Sequence, residues 1–506
     1  MPNANPRRWL ILIAVMLAFL PIVIDMTILH IAVPSLTQAL AASSTEVLWI
    51  IDIYPLLMAG LLVPMGTLAD RVGNRRILLC GLAVFGVASM LAAFATSAPW
   101  LIAARMVLAL GGAMIMPCVL GIIRRTFDDE RERALALGMW GTVGAAGAAV
   151  GPLIGGALLE HFWWGSVFLI NVPLMALVLP VAWLLLSRTE ATTPGHWAIG
   201  QALTLIAGII ALVYGLKAGM AGTQPLPLAL GVLGAGLVLL AVFARQQLRT
   251  ATPMLDLSLF SHPVLVAGLV MALMTIGALA GVELTLAMEL QYVLDKTPLQ
   301  AGVFMIPIMA AAAVGGPVAG YLSNRFGVRA VSSLSLAISA AALGYLAFAD
   351  FDAPGLAVPA VLAVLGLALS IGLTASSIAI MSAVEASKGG AAGSLEATAY
   401  ELGTGLGITF FGVFMSRVYG HRLITPADLP PPLAQRAAQS IGDSYVVAGE
   451  LTQGQGRALI DAGKAAFSTT HSVLLSTCAV MLGLLALVIF VLMGRQVPVG
   501  NSARSD

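Results

Sequence analysis

Apolar runs of about twenty residues, separated by short polar segments, follow one another along almost the whole chain. A window of about 20 residues, the length that crosses roughly 30 Å of hydrocarbon, picks out fourteen candidate spans. They lie at 10–33, 47–68, 77–96, 100–123, 134–159, 166–187, 198–219, 226–245, 263–291, 299–322, 329–349, 355–376, 393–417 and 471–493. Backbone polar groups in lipid must be satisfied within their own segment, so each run is predicted to be a helix. Composition agrees: 59% of the 506 residues are hydrophobic and only 10% are charged, against about a quarter charged in soluble domains. The pattern describes an all-α polytopic membrane protein.

Charge then orients the chain. Arg7, Arg8, Arg71, Arg75, Arg76, Arg124, Arg125, Arg131, Arg133, Arg188, Arg245, Arg249, Arg325, Arg329, Lys388, Arg495 and Arg504 fall on one side of this arrangement. Lys217, Lys296, Arg417, Arg422, Arg436, Arg457 and Lys464 fall on the other, most of them in one long loop, which translocates largely regardless of charge. Both termini are therefore expected in the cytoplasm. Arg7 and Arg8 ahead of the first run imitate a secretory signal, but the run is long and has no obvious small-residue cleavage site, so an uncleaved first helix is expected. A net charge of +1 offers no field for nucleic acid. Cys80, Cys118 and Cys478 show no paired or metal-ligand spacing and read as packing residues.

A loop pattern occurs twice. Gly66-Thr67-Leu68-Ala69-Asp70-Arg71-Val72-Gly73-Asn74-Arg75 follows the second span, and Gly320-Tyr321-Leu322-Ser323-Asn324-Arg325-Phe326-Gly327-Val328-Arg329 follows the tenth. Parallel duplication of a six-helix unit would bring the second copy after the eighth span; it comes two spans late. The expected organisation is a first half at 1–190, two inserted helices at 191–250, and a second half at 251–506 with an external loop at 418–470. No short period is present, so a solenoid is excluded.

Asp25 lies inside the first apolar run. A lone carboxylate there costs a few kcal/mol on insertion scales, and its default reading is a proton or cation site facing a helix bundle. The stretch Ile24-Asp25-Met26-Thr27-Ile28-Leu29-His30-Ile31-Ala32-Val33-Pro34 resembles the first-helix signature of the fourteen-span drug/proton antiporters of the major facilitator superfamily, with His30 where that pattern usually carries Asn. The loop of Gly66, Asp70, Arg71, Gly73 and Arg75 is similar to the superfamily's shared loop motif. There Asp70 is expected to pair with Arg71, or with an arginine or helix end of the same half, as a gate latch. The second copy has Asn324 in place of Asp70, so a weaker latch is expected.

The fifth span carries Gly138, Gly147, Gly151, Pro152, Gly155 and Gly156, which reproduce the antiporter pattern Gly-x8-Gly-x3-Gly-Pro-x2-Gly-Gly. Closely spaced glycines let helix backbones approach, and an internal proline bends the helix. Uptake relatives generally lack this motif, so the resemblance implies export. Phe162-Trp163-Trp164-Gly165-Ser166-Val167-Phe168-Leu169-Ile170-Asn171-Val172-Pro173 is similar to a further stretch of the same exporters, without its arginine; the tryptophans read as interface anchors. Arg105 matches a family arginine implicated in proton transfer, with Leu108 and Ala109 replacing the usual Gln and Gly. It is expected to face a polar cavity and pair with a carboxylate of its own half; a buried ion pair without a transport role is the alternative.

Other groups in the spans bear on cargo. Asp52 stands beside Trp49, Tyr54 and Met58, Glu283 and Glu289 lie in the ninth span, and Glu396 and Glu401 early in the thirteenth. Acids, aromatic faces and methionines together suit large apolar cations. The resemblance implies quaternary ammonium compounds, biguanides, viologens and dyes as cargo, as in antiseptic and methyl-viologen exporters. No phosphate-loop motif and no long soluble segment is present, so ATP is not expected as the driver and no cofactor or metal is expected. Protons taken up and released by Asp25 are the expected energy source. The six histidines at 30, 161, 196, 262, 421 and 471 are scattered along the chain, which argues against a membrane-embedded enzyme. Proton-linked movement of a metabolite or metal complex stays open as the second transport reading. The segment 418–470 reads as a helical hairpin over the outer vestibule or as a flexible tether. A single chain in a bacterial inner membrane, in contact with lipid, is the expected working form.

Overall fold

The computed structural model describes residues 7–127, 129–187, 198–221, 224–250, 253–384, 389–426 and 429–494. Among them every regular element is helical. The long helices are α1 (Arg8–Leu40), α2 (Ser44–Val72), α3 (Asn74–Ala93), α4 (Ala98–Thr126), α5 (Glu130–His161), α6 (Asn171–Leu185), α7 (Ile199–Ala221), α8 (Leu226–Arg249), α9 (Pro263–Met288), α10 (Ile306–Phe326), α11 (Val328–Leu346), α12 (Ala357–Ser382), α13 (Gly389–Arg422) and α14 (Gln453–Met493). By length and apolar composition, thirteen among the described residues qualify to cross a membrane. The other, α13, has 34 residues, about 51 Å of helix at 1.5 Å per residue, but carries acids and glycines through its first half.

The packing plan of α1–α6 recurs in α9–α14. Helix α1 packs on α4, α5 and α6, and α3 packs on α4 and α6; correspondingly α9 packs on α12, α13 and α14, and α11 on α12 and α14. The pair α2 with α4 is matched by α10 with α12. Between the two sets, α1 meets α9, α2 meets α13 and α5 meets α10. Helices α7 and α8 form a hairpin whose backbones nearly touch: a Cβ on Gly215 would lie 2.6 Å from the Leu233 backbone nitrogen, and one on Gly236 2.5 Å from that of Leu212. The hairpin leans on one of the seams, with α7 against α2 and α13.

Both copies of the repeated loop make the same turn. Gly73 ends α2 and opens α3 at φ 106°, and Gly327 ends α10 and opens α11 at φ 83°. Only glycine enters that region without strain, so the second glycine of the pattern is a backbone requirement at both sites. At its opposite end α2 is opened by a capping box. Ser43 Oγ accepts from the Glu46 backbone N–H and the Glu46 carboxylate accepts from that of Ser43, satisfying two donors that a helix start leaves free.

The boundaries near the end of the chain differ from those expected. Helix α13 continues to Arg422 and α14 already begins at Gln453, so both ends of 418–470 are helix that extends the spans. Among the described residues, 423–426 and 429–452 lie outside those helices, and they contain two short ones, Pro431–Ala437 and Ile441–Gly449. Polar residues do not end a helix once it has left lipid; they simply face water, and a composition window therefore stops short of the true ends.

Candidate functional site

Asp25 and Arg105 form a buried ion pair in the middle of the first helix set. Arg105 Nη1 donates to Asp25 Oδ2 at 3.3 Å, and the two residues are 1% and 0% exposed. The guanidinium lies 5.1 Å from the centroid of Tyr54 and 5.9 Å from that of Phe168, so an aromatic sleeve replaces part of its lost hydration. The satisfaction is incomplete: Asp25 Oδ1 and Arg105 Nε are buried with no hydrogen-bond partner. In a low-dielectric interior each unpaired atom is costly, and loss of either partner would leave the other as a lone buried charge.

Helix α5 explains how α1 comes so close. A Cβ on Gly147 would lie 3.0 Å from Leu20 Cδ1, one on Gly151 would overlap the Thr27 hydroxyl, and one on Gly155 would lie 2.6 Å from Ile28 Cγ1. These contacts bracket Asp25 on α1. The neighbouring positions face the other helix set. A Cβ on Gly156 would lie 2.6 Å from the Leu299 Cα, and the Pro152 carbonyl oxygen lies 2.7 Å from where a Gly302 Cβ would stand. The glycine and proline motif therefore has two faces, one cradling the carboxylate helix and one closing the seam to the short helix Pro298–Phe304. The surroundings of Gly138 fall outside the described residues.

Around that closed end, Thr297 donates to Glu160 at 2.7 Å and Gln291 to the Ile31 carbonyl at 3.2 Å. At the end that carries the repeated loops the two sets stand apart. A cavity of about 390 Å3 there is lined by Gly66, Thr67, Asp70, Asn74 and Arg124 from the first set and by Gly393, Ser394 and Ala397 of α13. Asp70 faces Arg125 of α4 at 3.7 Å, an exposed pair, and Arg75 donates to the Trp183 carbonyl at 2.9 Å. Arg71 Nη1 is buried with no hydrogen-bond partner.

The other candidate acids, Asp52, Glu283, Glu289, Glu396 and Glu401, are all buried, and the structure distributes them over separate contacts. Asp52 Oδ2 accepts from Lys217 Nζ of α7 at 2.8 Å and from the Thr409 hydroxyl of α13 at 2.7 Å, and Lys217 lies 4.0 Å over the Trp49 ring. Tyr54 and Met58 instead line Gly112 of α4, where a Cβ would lie 2.7 Å from the Tyr54 hydroxyl and 3.0 Å from the Met58 sulfur. Glu283 lies 3.5 Å from His30 Nδ1, joining α9 to α1. Glu289 lies 3.8 Å from His471 of α14, whose ring packs on Phe351. Glu396 accepts from the Tyr400 hydroxyl at 2.7 Å. Glu401 Oε2 is buried without a hydrogen-bond partner.

Three partners were not visible in the sequence: Lys217, His30 as a contact of Glu283, and His471 as a contact of Glu289. Each joins a carboxylate on a different helix. Scattered position in the chain says nothing about that; the one available signal was that all three lie within apolar runs.

Two like-packed helix sets, a buried charge pair in one of them and a cavity open at one end define a membrane transporter rather than an enzyme. Residues 15–407 match the Major Facilitator Superfamily, and the chain belongs to that family. It is 45% identical over 480 residues to the methyl viologen resistance protein SmvA of Salmonella typhimurium, covering 95% of this chain and 97% of that one. It is 36% identical over 470 residues to the multidrug efflux pump LfrA of Mycolicibacterium smegmatis, covering 92% of each. Its fold is similar to that of a bacterial homologue of the lysosomal transporter Spinster in an inward-facing conformation, with a TM-score of 0.68, 18% identity, and coverage of 98% of this chain and 100% of the other. Its relatives are drug efflux and resistance transporters.

Proposed function

We propose that this protein is a proton-coupled exporter of lipophilic monocations and dications: quaternary ammonium compounds, biguanides, viologens and dyes. The observation that carries the proposal is the Asp25–Arg105 pair, buried, incompletely satisfied and held by the α5 glycine stripe. Protonation of Asp25 removes half of the pair, and the stripe ties α1 to the helix that closes the seam at Gly156, so a proton on one side favours a different seam from a proton lost. Methyl viologen, named in one relative, is a dication and supports cationic cargo; the multidrug efflux name of another supports export. The candidate acids Asp52, Glu283, Glu289, Glu396 and Glu401 are read as counter-charges along the route. Movement of a metabolite or a metal complex has no observation in its favour here.

The working form is a monomer of fourteen spans, with halves 1–190 and 251–506 and an inserted pair at 191–250, in a bacterial inner membrane with both termini cytoplasmic. The repeated contact plan of α1–α6 and α9–α14 supports that division. The open cavity beside Asp70 is then the cytoplasmic mouth, and the gate residues Gly66, Asp70, Arg71, Gly73 and Arg75 border it or its loop.

The test is ethidium transport by purified protein in vesicles under an imposed pH gradient. Wild type should drive dye uphill only while the gradient lasts, and Asp25→Asn should not. Transport by wild type that ignores collapse of the gradient would remove the proposal.

A further inference from the structure

Lys217 stands in the last turns of α7, four residues before its end at Ala221. A lysine so placed would ordinarily extend its chain to the interface and keep its ammonium wet. Here it turns inward and is 3% exposed. Its ammonium donates to Asp52 Oδ2 at 2.8 Å and lies 4.0 Å over the face of Trp49; the Trp49 ring stacks on Tyr214 at 5.8 Å between centroids. The Thr409 hydroxyl donates to the same carboxylate oxygen at 2.7 Å. The other oxygen, Asp52 Oδ1, is buried with no hydrogen-bond partner.

A carboxylate beside an indole face is the chemistry that recognises an alkylammonium ion, and in this structure an alkylammonium occupies it: the lysine's own. The residues come from α2, α13 and α7, so the site sits on the seam between the two helix sets, with the inserted hairpin supplying the occupant and Tyr214 against the indole. We infer that Asp52, Trp49 and Thr409 form a second cation site, separate from the Asp25–Arg105 pair, and that Lys217 is its tethered resident, displaced when an alkylammonium cargo binds. This rests on the reading of the protein as a cation exporter.

The inserted hairpin thereby acquires a task. Near Lys217, α7 is held to the seam by this ammonium; farther along, it is held by the close passage of Ile206 over Gly60, where a Cβ would lie 3.4 Å from the Ile206 Cα. Displacement of Lys217 removes the charged tie between the outer part of α7 and the α2–α13 seam, leaving the stacking of Tyr214 on Trp49. A cation that reaches Asp52 therefore also loosens the seam it must pass.

The experiment measures acylation of lysines in the purified full-length chain, by an amine-reactive ester with quantification of each peptide, with dodecyltrimethylammonium as probe and Lys296 as internal reference. Lys217 should react slowly in the free protein and several-fold faster with saturating probe, while Lys296 does not change. Asp52→Asn should make Lys217 reactive without probe and insensitive to it. Lys217→Met should bind the probe roughly tenfold more tightly, because a resident competitor has gone, and Lys217→Arg should restore the wild-type affinity. Probe binding, followed by tryptophan quenching, that saturates while Lys217 reactivity stays flat overturns the inference and leaves the exporter reading intact. Equal probe affinity of wild type and Lys217→Met overturns it as well. Absence of probe binding to wild type and to every variant overturns both.

Discussion

Arg75 and Arg329 make the same contact in the two helix sets. Arg75, in the first turn of α3, donates to the Trp183 carbonyl near the end of α6 at 2.9 Å; Arg329, in the first turn of α11, donates to the Phe490 carbonyl near the end of α14 at 2.8 Å and lies 3.9 Å over the Phe490 ring. Carbonyls in the last turn of a helix have no partner within it, and the helix end attracts a cation. The final arginine of the repeated loop is thus a clamp on the last helix of its own set. Arg75→Ala and Arg329→Ala should each lower stability by about 1 kcal/mol, the net worth of such a hydrogen bond, with Lys recovering only part of it. Thermal unfolding in detergent measures this, and an Arg75→Ala protein as stable as wild type would leave the clamp without energetic meaning.

Gly156 touches backbone of the opposite set, so it has no flexible neighbour to yield. Added to Gly156, a Cβ would meet the Leu299 Cα at 2.6 Å and the Pro298 carbonyl at 2.8 Å. Gly156→Ala should therefore push the closed end apart, costing that state about 1–3 kcal/mol as overpacking does and shifting the protein toward the opposite opening. Distance measurements between spin labels on α5 and on Pro298–Phe304 should lengthen. Gly141→Ala, where a Cβ meets nothing within 4 Å, should leave the distances unchanged; equal effects of both would remove the argument.

Breaking the Asp25–Arg105 pair from one side leaves a buried charge alone, which costs about 3–5 kcal/mol, whereas removing both charges costs much less. Asp25→Asn and Arg105→Gln should each destabilise the protein, and the double variant should be more stable than either. Transport should be lost in all three. A double variant whose loss equals the sum of the singles would mean that the 3.3 Å contact contributes no coupling.

Asp25 and Arg105 were legible in the chain because a charge within an apolar run contrasts with everything around it, and burial in lipid admits few reasons for one. Gly73 and Gly327 were legible because a repeated loop keeps the residue that its backbone angle demands. Lys217 was different. It lies near a span end, where lysines are ordinary, and its partner Asp52 is 165 positions away; only the docking of α7 on the α2–α13 seam makes the pair. The early start of α14 at Gln453 was hidden for a related reason: hydropathy reports where lipid ends, and the helix does not end there.

Asp443 lies outside the long helices, in Ile441–Gly449, and its carboxyl is pushed above the ordinary carboxylate range by burial, against the lowering effect of its bond from Ser440 and of contacts from Ser44. The short helix docks across both sets: a Cβ on Gly442 would stand 3.2 Å from Thr37 Cγ2 and 3.3 Å from the Tyr292 hydroxyl, and Tyr445 donates to the Tyr292 carbonyl at 2.7 Å. Because the docked state holds the higher pKa, it binds more protons than the undocked one. Its stability is therefore fully present below the ordinary carboxylate pKa and is lost as pH rises through the raised one. Hydrogen exchange of residues 441–449, corrected for intrinsic rates, should show protection falling as pH rises above about 4, the unperturbed Asp value. Asp443→Asn, which fixes the uncharged form, should hold its protection across the whole range. If the variant lost protection with the same slope as wild type, the pH response would belong to another group.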